Sequence, residues 1–131
     1  MALILTPLKK ALAALDAGLA RALAAPQDDM LRDGCIQRFE FTYELAQKLL
    51  RRKLEEAEAS SSGLDQMAFK ELIRLAAERG LLDDPAAWFA YREQRNRTVH
   101  TYEEAHAKAI FAALPAFATA ARRLLEKLEQ P

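Results

Sequence analysis

Leucine residues recur every three or four positions near the start of the chain, which is the spacing of one face of a helix. Thr6-Pro7 predicts the beginning of this helix, with Thr6 as the N-cap and Pro7 in the first turn, where its missing N–H costs nothing. Pro26 ends the helix. We expect the buried stripe to consist of Leu8, Leu12, Leu15, Leu19 and Leu23.

A longer and broader apolar pattern predicts a central helix from about Met30 to Ala59, with Asp28 and Asp29 at its N-terminus. Apolar and polar side chains alternate over residues 39–43, as they would in a strand. Over the longer segment, however, apolar residues recur every three or four positions, which favours a helix. Two adjacent rows result: Ile36, Phe39, Tyr43, Ala46, Leu50 and Leu54 in the first, and Phe41, Leu45 and Leu49 in the second. The helix would be roughly 45 Å long, which exceeds the needs of so small a chain and favours a dimer.

Three further helices follow the loop-like cluster Ser60–Gly63. The third runs from about Asp65 to Arg79 and has Gly80 as its C-cap. Asp83-Asp84-Pro85 begins the fourth, and the last extends from about Glu103 to Leu128 with a proline inside it. The whole pattern predicts an all-α fold, a five-helix and mostly antiparallel bundle.

The composition agrees with helices and limits the classes of function. Of 131 residues, 51% are hydrophobic and 29% charged, which is typical of one globular domain spanning residues 1–131. The 19 basic and 19 acidic side chains cancel, so any contact with nucleic acid must be local. Cys35 is the only cysteine and fits a reducing compartment. The longest uncharged run, residues 109–121, is too short to span a membrane, and we expect a cytoplasmic protein.

Residues 95–102, Arg-Asn-Arg-Thr-Val-His-Thr-Tyr, are the segment that packing does not explain. On a regular helix Arg95 and His100 would be rotated apart by about 140°, so they cooperate only across a helix break or between two subunits. The β-branched pair Thr98-Val99 and the capping-box pattern Thr101-x-x-Glu104 predict such a break. His100 would then lie just before a helix N-terminus, whose dipole favours the neutral imidazole.

A neutral histidine beside an arginine suits phosphodiester chemistry. His100 would take a proton from a ribose 2′-OH or return one to the leaving 5′-oxygen. The Arg95 guanidinium would bind the phosphate and stabilise the charge of the transition state. A 2′-OH nucleophile needs no metal, and the chain has two histidines with neither H-E-x-x-H nor C-x-x-C, so we predict no metal site and no cofactor.

The spacing of arginine and histidine is weak evidence by itself. With 12 arginines in the chain, one falls four to six positions before His100 by accident roughly one time in four. Spacing alone therefore favours a solvated arginine turn and a histidine in a capping region. His106 is interpreted as a surface or interhelical residue and Cys35 as a small core residue. The aromatic residues of the fourth helix are expected to be core and interface anchors: Trp88, Phe89 and Tyr91.

Two segments resemble a known family. Residues 33–46, Asp-Gly-Cys-Ile-Gln-Arg-Phe-Glu-Phe-Thr-Tyr-Glu-Leu-Ala, resemble the IQRFEFTxELA signature of nucleotidyltransferase substrate-binding proteins, which belong to the HEPN superfamily. Residues 95–102 resemble that family's R-x4-H-x-Y motif, and Gly80–Asp83 resembles the turn that precedes it. The similarity spans roughly residues 5–128. Gln47 departs from the pattern, since relatives often carry a tryptophan there.

The resemblance implies an all-α fold, a five-helix up-and-down antiparallel bundle that forms a homodimer through its long helices, with motif residues of both subunits lining one cleft. It also implies a partner, a small nucleotidyltransferase encoded nearby. In toxin–antitoxin members the HEPN protein is a metal-independent endoribonuclease, which the partner silences by adding AMP to the motif tyrosine. Carried over, Arg95 and His100 become the catalytic pair, Asn96 and Arg97 supporting residues, and Tyr102 the modified residue.

Two other functions are compatible with the same sequence. The chain would be a non-catalytic subunit that presents a nucleotide or another substrate to the nucleotidyltransferase, or a dimeric scaffold with a relic motif. The intact Arg95, His100 and Tyr102 favour the ribonuclease, because a docking subunit has no evident need for an imidazole at that position.

Overall fold

The computed structural model describes residues 3–57 and 67–130, which form five α-helices and a short 3-10 turn and contain no strand. The elements are α1 (Thr6–Ala24), α2 (Asp29–Ala57), α3 (Phe69–Glu78), α4 (Pro85–Arg97), the 3-10 turn (Thr98–His100) and α5 (Glu104–Leu128). The all-α prediction is confirmed. The predicted loop Ser60–Gly63 and the predicted helix ends Ala59 and Asp65 lie outside the described residues. None of the described helices is long and apolar enough to cross a membrane.

The two longest helices, α2 and α5, run side by side in the same direction. Arg32 and Glu104 form an ion pair of 2.6 Å near their first residues, and the Lys53 ammonium donates to the Gln130 carbonyl near their ends. Helix α1 runs opposite to the α2–α5 pair, since Lys9 near its start forms an ion pair with Glu129 after the end of α5. Helix α4 also runs opposite to α5, because Asp83 just before α4 contacts Lys127 near the end of α5. Strict alternation of five helices would make α2 and α5 antiparallel, so the helix directions do not alternate along the whole chain.

The apolar stripe of α1 packs into the core as predicted over most of its length. Leu8, Leu12, Leu15 and Leu19 are all buried. Leu23 is instead 59% exposed and Ala22 takes the core position, because a period of 3.6 residues carries position 23 off the buried face. The predicted cap was also wrong: α1 begins at Thr6 itself, so Leu5 is the N-cap and no side chain caps this end.

Helix α2 is the centre of the core. The residues of its first predicted row are all buried: Ile36, Phe39, Tyr43, Ala46, Leu50 and Leu54. The second row is split, since Leu49 is buried, Leu45 is half-buried and Phe41 is 42% exposed. Five aromatic rings meet around this helix, and the closest pair is Phe39 against Phe117, edge to face with centroids 4.8 Å apart.

Helix α1 approaches α2 closely at Gly18. A Cβ atom there would lie 3.1 Å from Arg38 Nη1 and 3.2 Å from Cys35 Sγ, so a larger residue would force these side chains to move. Arg38 also donates to the Ala14 carbonyl, which ties the two helices together. Cys35 is 1% exposed and burial raises the pKa of its thiol, which confirms a core role.

Backbone and side-chain caps confirm the predicted turn between α3 and α4. Gly80 has a φ of 77°, and its N–H and that of Leu81 donate to the carbonyls of Ala77 and Ala76, the pattern of a Schellman motif. An Asp84 carboxylate oxygen accepts the Ala87 N–H at 3.2 Å and caps α4 as predicted.

Tyr43 offers a test of this core, because its buried hydroxyl has no hydrogen-bond partner among the described residues. Burial raises the pKa of this phenol, although the nearby Arg92 opposes the shift. We expect Tyr43→Phe to leave the free energy of unfolding unchanged or to raise it by up to about 1 kcal/mol, because it removes a polar group without a partner. Urea denaturation measures the difference.

Tyr43→Ala is the matched control, because it removes the ring as well as the hydroxyl. We expect it to lower the free energy of unfolding by about 3–5 kcal/mol through the cavity that it leaves. A loss above about 1 kcal/mol for Tyr43→Phe would show that the hydroxyl makes a stabilising hydrogen bond, contrary to this interpretation.

Candidate active site

The chain breaks its helical path between α4 and α5, as the sequence predicts. The α-helix ends at Arg97 and a 3-10 turn follows over Thr98–His100. The Thr98 hydroxyl is buried with its residue and donates to the Arg95 carbonyl at 2.7 Å. The predicted capping box is wrong, however, because α5 begins at Glu104 and Glu103, not Thr101, occupies its N-cap without a side-chain bond.

Arg95 extends from the end of α4 to the surface of α2. Its Nε and Nη2 atoms lie 2.7 and 2.6 Å from the same carboxylate oxygen of Glu44. The Arg95 side chain keeps 31% of its surface exposed. A guanidinium has three nitrogens that donate, so these two bonds leave Nη1 available for another anion.

His100 and Tyr102 lie together on the exposed side of the break. His100 Nδ1 is 3.3 Å from the Tyr102 hydroxyl oxygen, and the two ring centroids are 5.9 Å apart. Tyr102 is 78% exposed, so its hydroxyl is open to solvent. When Nδ1–H donates to the phenol, Nε2 keeps the lone pair that a general base needs.

The structure places a second histidine at this site, which sequence reasoning missed. His106, in the first turn of α5, has its ring centroid 5.7 Å from that of His100. Its Nε2 lies 2.8 Å from a carboxylate oxygen of Glu103. The spacing Glu103-x-x-His106 indicates a contact between these two side chains on one helix. The direction of α5 after the break could not be predicted, so the proximity of the His106 ring to His100 was not expected.

The residues of the candidate site thus fall into two groups within one protomer. His100, Tyr102 and His106 form one group, and Arg95 with Glu44 forms the other. In the part of the chain that the structure describes, no hydrogen bond joins Arg95 to His100. The predicted supporting residues Asn96 and Arg97 are exposed at the end of α4, between the two groups in sequence.

Arg32 holds the beginning of α5, and therefore this site, against α2. Its guanidinium is within 2.6 Å of Glu104, 3.0 Å of Asp33 and 3.5 Å of Asp29. The hydrogen bond from Arg32 holds the pKa of the Glu104 carboxyl below its ordinary value. The same bond raises the pKa of Arg32 despite the opposing effect of burial. Over residues 3–57 and 67–130, no group of three His, Cys, Asp or Glu side chains is arranged to hold a metal ion.

Comparison with known proteins decides the family. A family model described as "Nucleotidyltransferase substrate binding protein like" matches residues 3–130. The chain belongs to this family. It is 39% identical over 102 residues to a Haemophilus influenzae protein named "Probable ribonuclease HepT", a match that covers 78% of this chain and 70% of that protein.

Solved structures agree with the family assignment. A Haemophilus influenzae structure, described as the fold of a substrate binding domain of a nucleotidyltransferase, has a TM-score of 0.91 at 33% identity and covers 97% of this chain and 100% of its own. A crystal structure from Thermus thermophilus has a TM-score of 0.76 at 38% identity, covering 94% and 99%. The predicted resemblance is confirmed.

Residues 33–46, which resemble a family signature, have two structural roles in α2. Their apolar positions, such as Ile36 and Phe39, enter the core, and Glu44 meets Arg95 of the segment 95–102. Gln47, which departs from the resembled pattern, is half-buried on the same helix. The two segments that carry the resemblance are therefore in contact through an ion pair.

The Arg32–Glu104 bond predicts a dependence of stability on acid. Because the pKa of Glu104 is lower in the folded protein, its contribution is present above the unfolded value, roughly 4.3, and is lost as the pH falls through the folded value. We expect Glu104→Gln to lower the free energy of unfolding at about pH 7 and to have a shrinking effect between about pH 5 and pH 2. Urea denaturation across that range measures it.

Glu126→Gln is the control, since this carboxylate is exposed near the other end of α5. The difference between the effects of Glu104→Gln and Glu126→Gln on the free energy of unfolding is expected to narrow as the pH falls. If that difference did not change with pH, Arg32 would not be stabilising the ionised Glu104 carboxylate.

Proposed function

We propose that this chain is the HEPN subunit of a two-component nucleotidyltransferase module and a toxin that cleaves RNA without a metal ion. Arg95 and His100 are the catalytic pair. The observation that carries the proposal is the exposed contact of His100 Nδ1 with the Tyr102 hydroxyl: in the tautomer whose Nδ1–H donates to the phenol, Nε2 of the same ring takes a substrate proton. The relative named "Probable ribonuclease HepT" supports the same activity.

The reaction is an internal displacement at phosphorus. His100 Nε2 takes the proton of a ribose 2′-OH, and the 2′-oxygen attacks the adjacent phosphorus. The bond from phosphorus to the 5′-oxygen breaks, which gives a 2′,3′-cyclic phosphate and a 5′-hydroxyl. Arg95 stabilises the negative charge on the phosphoryl oxygens, with Asn96 and Arg97 as exposed supporting residues.

A homodimer would complete the site. The α2 surface beside Glu44 carries exposed Phe41 and half-buried Leu45, and Val99 at the break is 67% exposed. We propose that a second copy covers these apolar residues and that Arg95 of one subunit then serves the same cleft as His100 of the other. The length of α2, about 43 Å, provides the surface for such a contact.

The partner is a small nucleotidyltransferase encoded nearby, and its target is Tyr102. The phenolic oxygen attacks the α-phosphorus of ATP, pyrophosphate leaves, and the hydroxyl proton is lost to a base. The product places a charged phosphodiester where the hydroxyl met His100 Nδ1. AMP on Tyr102 would therefore both cover the imidazole and remove its orienting contact. The module would act in the cytoplasm, where its RNA substrate occurs.

A non-catalytic subunit is the second candidate function. The family description and the Haemophilus influenzae structure, described as a substrate binding domain of a nucleotidyltransferase, both favour it. In that case the cleft would hold a nucleotide or another substrate for the nucleotidyltransferase, and Arg95 would serve as an anion ligand only.

Cleavage of RNA in the presence of EDTA tests the ribonuclease function. We expect the purified protein, free of its partner, to cut total RNA and to leave 2′,3′-cyclic phosphate ends. His100→Ala should lower the cleavage rate by about 10²–10⁴-fold while the helix content and the oligomeric state stay unchanged. Mass spectrometry of the fragments identifies the ends.

Two variants accompany this test. His106→Ala shows which of the two imidazoles cleavage requires, and Arg95→Lys keeps the positive charge but removes the guanidinium that would contact the phosphate. Nucleotide binding in calorimetry without turnover would favour the binding subunit instead. Unchanged cleavage by His100→Ala would remove that residue from the mechanism.

Modification by the cognate nucleotidyltransferase tests the role of Tyr102. Incubation with that enzyme and ATP is expected to add the mass of AMP to the peptide that contains Tyr102 and to lower RNA cleavage. Tyr102→Phe should stay unlabelled, because it lacks the attacking oxygen. Tyr91→Phe is the matched control, since this phenol is buried and should not be a target. Labelling of Tyr102→Phe in the same peptide would refute the assignment.

A further inference from the structure

We propose that His106 is a second catalytic imidazole, the general acid that protonates the leaving 5′-oxygen, and that Glu103 positions it. This inference rests on the proposed ribonuclease function and extends it. The motif with a single histidine supplies a base for the 2′-OH, but cleavage also needs a proton for the oxygen that departs. The structure places a candidate donor beside His100.

The two imidazoles are neighbours at the surface. Attacking and leaving oxygens lie on opposite sides of the phosphorus in an in-line displacement, so the base and the acid must be separate groups. Each must come within about 2.6–3.2 Å of its own oxygen. The ring centroids of His100 and His106 lie 5.7 Å apart and the rings are inclined by 40°, which is close enough for one bound phosphodiester to reach both rings.

The hydrogen-bond partners give the two rings different roles. His100 Nδ1 lies 3.3 Å from the Tyr102 hydroxyl, and in the tautomer whose Nδ1–H donates to the phenol, Nε2 accepts the substrate proton. His106 Nε2 lies 2.8 Å from the carboxylate of Glu103, so we assign its other nitrogen, Nδ1, to the leaving oxygen. In the proposed acid, Nε2–H donates to this carboxylate and Nδ1–H donates to the 5′-oxygen.

The site is also accessible and held in place. The side chains of His106 and Glu103 retain 39% and 49% of their surface exposed, so a polynucleotide can reach them. Glu104, the next residue, is bound to Arg32 of α2, which fixes the first turn of α5. The proposed acid, His106, therefore lies in the first turn of α5, and the proposed base, His100, lies in the 3-10 turn that precedes this helix.

The proton balance closes over one cleavage. His100 Nε2 gains the 2′-OH proton as the bond from the 2′-oxygen to phosphorus forms. His106 Nδ1 loses a proton to the 5′-oxygen as the bond from phosphorus to that oxygen breaks. The products are a 2′,3′-cyclic phosphate and a 5′-hydroxyl, and water then carries a proton from His100 back to His106.

A change of leaving group separates this role from a structural one. The probe is an RNA oligonucleotide that the wild-type protein cuts at one mapped bond, compared with the same oligonucleotide carrying sulfur in place of the bridging 5′-oxygen at that bond. A thiolate leaves without protonation, so loss of the acid matters only for the oxygen substrate. We expect His106→Ala to be about 10²–10⁴-fold slower than wild type on oxygen and close to wild type on sulfur.

Three further measurements complete the test. His100→Ala should be slow on both substrates, because the base is needed in each. Glu103→Gln should show a smaller loss than His106→Ala, again confined to the oxygen substrate. Circular dichroism and light scattering check that each variant keeps its helices and its oligomeric state.

The outcomes that would overturn the proposal are distinct. If wild type cuts RNA and His106→Ala cuts the oxygen substrate equally fast, His106 is not the acid although the ribonuclease stands. Equal loss on oxygen and sulfur would assign His106 a structural role. If wild type cuts no RNA, the ribonuclease function and this inference both fall.

Discussion

The candidate site depends on how the chain turns between α4 and α5. The reversal is completed within residues 98–103, and the buried Thr98 fixes its beginning through a hydrogen bond to the Arg95 carbonyl. Because the α-helical pattern stops there, His100 does not continue the rotation that α4 would impose. The 3-10 turn and the start of α5 instead gather His100, Tyr102 and His106 on one exposed surface.

Helix α2 is the platform on which this turn is mounted. Its buried row fills the core. Two of its polar side chains make contacts outside the core: Glu44 pairs with Arg95 of the site, and Arg32 pairs with Glu104 at the start of α5. One helix thus links the stability of the fold to the position of the polar groups. The same division appears in residues 33–46, whose apolar side chains pack and whose Glu44 contacts Arg95.

The ion pair with Glu44 sets the orientation and the local charge of Arg95 before a phosphate binds. Two guanidinium nitrogens are engaged with a carboxylate, so an incoming phosphate meets an arginine that is already oriented and partly neutralised. Both side chains remain partly exposed, and solvent weakens their attraction relative to a buried pair. A phosphate can therefore compete for this arginine or add to its third nitrogen.

Sequence periodicity determined the helices, because a helix buries one face only when its apolar residues recur every three or four positions. The core row of α2, the Asp84 cap and the turn at Gly80 followed from local chemistry and were predicted correctly. The predictions of Thr6 as an N-cap and of a capping box at Thr101 were wrong, since local patterns do not fix the residue at which a packed helix begins.

The sequence also determined the family and the motif residues, since these are properties of residue type and order. Only the tertiary structure decided which of them meet. Arg95 pairs with Glu44, 51 positions away in the chain, and His106 returns beside His100 across a helix break. Neither contact has a periodic signature, because both depend on the angle at which one helix leaves the turn and packs against another.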